Sequence, residues 1–81
     1  MTKDEVFNKI VDILKRYSKV EIKLENISMD TSILDDLKIN SARLVDIVLD
    51  FEDIFDIEVA DEDADRVATV GDGVNLILAK I

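Results

Sequence analysis

The chain has 81 residues, 48% of them hydrophobic and 36% charged, with a formal net charge of −9. That length suits one small domain, taken here as residues 1–81, whose core has to be efficient. Cysteine and histidine are absent. Their absence excludes a disulfide framework, a Cys-based metal site, the commonest zinc ligand and the usual general base of a nucleophilic triad.

The hydrophobic content argues against disorder despite the charge. The acidic excess disfavours nucleic acid and anionic membrane, both of which reward Lys and Arg. No apolar run approaches the roughly 18 residues a membrane span needs. The opening MTKDEVFNKI places acids early and lacks an apolar h-region, so it does not read as a signal peptide. The expectation is a cytoplasmic protein without stable membrane insertion.

The charge is uneven. Residues 1–39 carry seven Lys/Arg and eight Asp/Glu, net −1; residues 40–66 carry Arg43 and Arg66 against ten acids, net −8; residues 67–81 are neutral. A field concentrated on the middle third steers basic partners and shapes selectivity more than affinity.

Proline is absent and glycine appears only at Gly71 and Gly73, which favours helix. The first helix is expected from Lys3 to about Tyr17. Val6, Phe7, Ile10, Val11, Ile13, Leu14 and Tyr17 recur there at helical spacing, and Thr2 with Glu5 fits a capping box. In residues 18–40 the alternation Val20, Ile22, Leu24 hints at a strand, but a lone strand has no partner elsewhere in the chain. A long ordered loop pinned by Leu24, Ile27, Ile33, Leu34 and Leu37 is the reading adopted, and loops of that length are often functional.

The segment Ser41 to Asp56 has the strongest helical period. Placed at about 100° per residue, Leu44, Ile47, Val48, Phe51, Ile54 and Phe55 share one sector, the expected core face. Ala42, Val45 and Leu49 form a second, smaller strip, ringed by Asp46, Glu52, Asp53 and Asp56, with Ser41 at its edge. Asn40 and Ser41 are both competent helix caps. If Asn40 serves, the Ser41 hydroxyl is free. A short acidic turn or single-turn helix follows in ADEDADRVA. The last helix runs from Val70 to about Lys80, with Val70, Val74, Ile77 and Leu78 inward and Thr69 and Asp72 as a capping box. The fold expected is all-α: a small four-helix up-and-down bundle of three long helices and one short acidic helix, with a long loop between the first two.

Few features suggest chemistry. A nucleophilic serine would need Lys or a carboxylate as its base, and nothing beside Lys38 builds an oxyanion hole or pocket, so no enzyme activity is expected. Asp61, Asp63, Asp65 and Asp72 have calcium-loop spacing, but Arg66 stands where the loop needs Gly, and Asp72 where it usually needs Glu. No metal is assigned, and these acids read as a solvated face. VGDGVNL lacks the third Gly and the preceding strand of a dinucleotide fingerprint. It reads as a helix start that tolerates glycine.

The run ILDDLKINSARLVDIVLDFEDIFDIEVADEDADRVATVGDGVNLI resembles the acyl carrier proteins of fatty-acid and polyketide synthesis. The likeness lies in the order and spacing of DDL, NSA, LVDIVLDFEDIFD and EVADEDADRVATV, and is strongest over residues 33–70. It implies that Ser41 bears 4′-phosphopantetheine, supplied from coenzyme A by a phosphopantetheinyl transferase. The arm ends in a thiol that holds acyl groups as thioesters. Acyl-loading, condensing and transferring enzymes with basic docking patches would then be the partners of a monomeric carrier that catalyses nothing itself. The resemblance further implies a partner face of Ala42, Val45, Asp46, Leu49, Glu52, Asp53, Asp56 and Asp61, and a bundle that opens to admit the acyl chain.

Five residues depart from the family pattern. Asn40 replaces the usual Asp, Ala42 the usual Leu, Arg43 a common acid, and Lys38 a common Gly. Ala60 also replaces a frequent Pro. These departures imply a specialised carrier with its own partners. An aminoacyl or peptidyl carrier, and an unmodified carrier-like interaction module, remain the other readings.

Overall fold

The structure, a computed structural model, describes residues 1–81. Four helices follow in order: α1 (Lys3–Lys15), α2 (Leu44–Phe55), α3 (Asp61–Asp65) and α4 (Val70–Lys80). Short 3-10 turns lie at Leu24–Asn26 and Ser41–Arg43. The fold is the helical bundle that the periodicity predicts, and the first turn of the expected Ser41 helix is wound as 3-10.

Each boundary has a local cause. Thr2 caps α1 by accepting from the Glu5 N–H at 3.2 Å, and Asp4 and Glu5 complement the positive end of the helix dipole. The return bond of a full capping box is absent, because the Thr2 hydroxyl donates to the Glu5 carboxylate instead. The helix closes two residues early, with the Tyr17 and Ser18 N–H groups both turned back to the Leu14 carbonyl. α2 stops at Asp56, a left-handed residue at φ 54°. α4 has the complete box: Thr69 Oγ1 accepts from the Asp72 N–H, and Asp72 Oδ2 accepts from the Thr69 N–H, each at 3.1 Å.

One hydrophobic cluster fills the interior. Val6, Ile10, Ile13 and Leu14 of α1 meet Ile47, Phe51 and Phe55 of α2 and Val70, Val74 and Ile77 of α4. Phe51 and Phe55 pack edge to face, with ring centroids 6.4 Å apart. From the irregular segments Ile22, Ile33, Leu37, Ile39 and Val67 join them.

Two expected core residues lie outside. Leu24 is 51% exposed, because it opens a tight 3-10 turn and Ile22 takes the interior place. Ile54 is 40% exposed, whereas Phe51 and Phe55 of the same two turns are buried, so the core face of α2 is narrower than its period suggests. Val48 is buried yet stands apart from the main cluster.

The loop is held by short-range bonds and by one pairing with a distant segment. Ile33 N–H donates to Ala68 O, Val70 N–H to Thr31 O and Gly71 N–H to Met29 O, at 3.0, 3.0 and 2.8 Å, around a Ser32–Thr69 antiparallel bridge. No run of alternation announces this pairing, and the 20–24 stretch has no share in it.

The pairing explains Gly71, which is more than a glycine that α4 tolerates. A Cβ there would lie 2.7 Å from Met29 O, the same oxygen its N–H bonds. A Cβ on Gly73 would meet Ile10 and Phe51 at 3.7 Å, ordinary contact. Gly71→Ala is therefore expected to destabilise by about 1–3 kcal/mol through overpacking against backbone. Gly73→Ala is expected to stabilise by up to about 1 kcal/mol through helix propensity. Urea denaturation of the two variants checks the opposite signs.

Candidate functional site

The site forms where the long loop enters α2. Lys38 adopts a left-handed conformation at φ 55°, which a non-glycine residue reaches at a steric cost. Ile39, 3% exposed, then anchors the chain in the core. Asn40 is extended, and its Oδ1 accepts from the Ala42 N–H at 2.9 Å while its carbonyl accepts from the Arg43 N–H at 2.8 Å. Asn40 is thus the cap, and the open question of which residue fills that role is settled in its favour.

The Ser41 hydroxyl is consequently left over. The chain has four serines. The Ser18 hydroxyl donates to the Leu37 carbonyl at 2.7 Å, the Ser28 hydroxyl accepts from the Asp30 N–H at 3.3 Å and the Ser32 hydroxyl accepts from the Asp35 N–H at 3.2 Å. Ser41, exposed on the first turn, makes no hydrogen bond with its hydroxyl.

Beside Ser41 the smaller apolar strip is open to solvent: Ala42 is exposed, Val45 is 65% exposed and Leu49 55%. The acids around it are not equivalent. Asp46 pairs with Arg43 at 3.2 Å. Glu52 is half-buried, its carboxylate accepting from the Val59 N–H at 3.4 Å across the α2–α3 connection. Asp53, Asp56 and Asp61 are exposed, with no cation within 4.0 Å. Of the candidate calcium acids, Asp63 pairs with Lys80 at 3.4 Å and Asp72 is engaged in the α4 cap. No group of three acids converges in a metal-holding cluster.

Asp50 faces away from this surface. It accepts from the Tyr17 hydroxyl at 2.6 Å and lies 3.9 Å from Arg16, tying α2 to the end of α1. Its wheel angle, roughly 100° to 140° from Leu49 and Val45, is the sequence signal that it leaves that strip. The hydrogen bond to Asp50, followed by burial and the Asp50 charge, raises the Tyr17 pKa above the usual 10.0. Backbone N–H bonds from Thr69 and then Ala68 lower the Asp72 pKa below 3.8.

The two shifts have opposite consequences. The Tyr17 contribution to stability is whole below pH 10 and is lost as pH rises through the raised folded value. The Asp72 contribution is present above pH 3.8 and is lost as pH falls through the lowered one. Thermal melts across pH are expected to show a gap between parent and Asp72→Ala that closes only on the acid side. The gap between parent and Tyr17→Phe should close only on the alkaline side.

Comparison with known proteins agrees with this arrangement. A family model described as a phosphopantetheine attachment site matches residues 8–77. The chain is 38% identical over 77 residues to an acyl carrier protein of Lactobacillus johnsonii, covering 95% of this chain and 94% of the relative. It is 40% identical over 74 residues to one of Clostridium acetobutylicum, covering 91% and 94%. The solved acyl carrier protein of Enterococcus faecalis superposes with a TM-score of 0.82 at 33% identity, over the full length of both chains. That of Thermotoga maritima shares the fold at a TM-score of 0.77 and 24% identity, over 96% of this chain and 88% of the other.

The chain belongs to the acyl carrier protein family. Its domain is of the kind that carries covalently attached 4′-phosphopantetheine, and the family works with a phosphopantetheinyl transferase and biosynthetic enzymes. The chemistry of the α2 entry fits the group, since it offers an exposed hydroxyl with no internal partner. No helix is long and apolar enough to cross a membrane.

Proposed function

We propose that Ser41 is the residue esterified by 4′-phosphopantetheine, and that residues 1–81 act as one monomeric, cytoplasmic carrier domain. The observation that carries the assignment is the hydrogen-bond inventory of the four serines, in which Ser41 alone has an unengaged hydroxyl, held outward by the Asn40 cap. When attached, the group supplies a thiol, which this cysteine-free chain lacks, to hold acyl groups as thioesters. The chain's own residues position the arm and present a docking face, and catalysis belongs to the partners.

That face is the strip of Ala42, Val45 and Leu49, with Asp53, Asp56 and Asp61 as its unpaired charges. Asp46 and Glu52 contribute through arrangements already formed with Arg43 and Val59. Small, polar-rimmed surfaces of this kind suit transient encounters with basic partners. The departures at Lys38, Asn40, Ala42 and Arg43 reduce acidity and bulk next to Ser41 and support a dedicated set of partner enzymes.

Incubation with coenzyme A and a broad-specificity phosphopantetheinyl transferase is expected to add one phosphopantetheine to the intact mass of the parent and nothing to Ser41→Ala. No increment with several unrelated transferases would favour an unmodified interaction module. Leu49→Glu is expected to lower partner turnover while leaving stability within about 0.5 kcal/mol of the parent. A large stability loss would place Leu49 in the core.

A further inference from the structure

The most acidic third of the chain begins beside a cationic notch. Arg16 and Lys19, at and just beyond the end of α1, converge with Arg43 of the α2 entry turn around a depression of about 440 Å³ completed by Tyr17 and Asn40. These five residues line it, and no carboxylate is among them. Asn40 directly precedes Ser41 in the chain and Arg43 follows it by two residues, so the notch adjoins Ser41, which does not itself line it.

The neighbouring acids leave the cations capacity for another anion. Asp50 engages Arg16 at 3.9 Å and Asp46 engages Arg43 at 3.2 Å, each through one nitrogen of a guanidinium with five donors. Both arginines stay well exposed, at 64% and 63%. Lys19 has no carboxylate within 4.0 Å. Asp50 and Asp46 thus pair with the arginines without themselves lining the notch.

We propose that Arg16, Lys19 and Arg43 form a phosphate clamp that holds the phosphodiester attached at Ser41 against the α1–α2 corner. The proposal rests on the assignment of Ser41 above. Placing a further negative charge at the head of a segment with net charge −8 is unfavourable, and the three cations of the adjoining notch would offset it. Arginine suits the task because its planar fork matches two phosphate oxygens at once. The clamp directs the base of the arm toward α1, away from the strip of Val45 and Leu49, and so leaves that strip clear for a partner.

The test compares the loaded parent with loaded Arg16→Gln/Lys19→Gln/Arg43→Gln by ³¹P and ¹⁵N NMR, after intact mass has confirmed one arm on each. In the parent, loading is expected to shift the Arg16 and Arg43 side-chain Nε–H signals. The phosphorus resonance is expected to move as salt is raised toward 1 M, where the Debye length is about 3 Å. In the triple variant the resonance is displaced from the parent's at low salt and no longer moves. A variant restoring Arg43 alone recovers part of the displacement.

Superimposable phosphorus resonances in parent and variant, with no arginine shifts on loading, overturn the clamp. If those signals match while the variant's loading rate alone changes, the notch receives carboxylates of the transferase, which also overturns it. Absence of any mass increment is a separate result that counts against Ser41 itself.

Discussion

The pairing of residues 29–33 with the entry to α4 is the constraint on which the rest of the molecule depends. The chain between α1 and α2 has no regular structure beyond two short 3-10 turns, and backbone groups without partners are costly when buried. Three backbone bonds to residues 68–71, at Ile33, Thr31 and Met29, satisfy part of that need and fasten the loop to the bundle. Thr69 and Asp72 serve at the same place as the α4 cap. From this anchor only a few residues remain to α2, and Ile33, Leu37 and Ile39, all buried, fix their path. Asn40 therefore arrives in position to cap the 3-10 turn that leads into α2, and Ser41 comes out on the surface with nothing to bond.

Electrostatics divides the molecule around that serine. Asp53, Asp56 and Asp61 leave an unpaired acidic rim at the far end of α2 and the start of α3. Near Ser41 the acids are each matched, Asp46 by Arg43 and Asp50 by Tyr17 and Arg16. Exposed pairs of this kind contribute little stability individually. Their effect is on pattern: on the proposed docking face, a partner would meet negative charge on one side of the apolar strip and matched or positive charge at the Ser41 corner. Such a pattern fixes orientation and discriminates among partners more than it adds affinity.

Much of this was legible in the residues, for identifiable reasons. The start of α4 is legible because Thr69 and Asp72 form a local signal, complete within four residues. The two apolar strips of α2 followed from helix period, since Val45 and Leu49 are exposed while Ile47, Phe51 and Phe55 are buried. Periodicity assigns an angle but not a neighbour, so Ile54 was placed in a core that does not extend over it, and Leu24 in an interior that Ile22 occupies. The Ser32–Thr69 bridge, the close approach behind Gly71 and the Tyr17–Asp50 bond join residues more than thirty positions apart. Nothing local encodes them. The same holds for the notch, where Arg16 and Lys19 meet Arg43 only because the end of α1 lies beside the start of α2. The role proposed for Ser41 comes from the family pattern, and what the fold adds is that the other three serine hydroxyls are engaged.

The account turns on that selection among four serines, and fragmentation mass spectrometry of the loaded, proteolysed protein tests it most directly. It predicts the phosphopantetheine fragment on Ser41 and on none of Ser18, Ser28 and Ser32. An arm mapped to one of those three, with Ser41 unmodified, would contradict it.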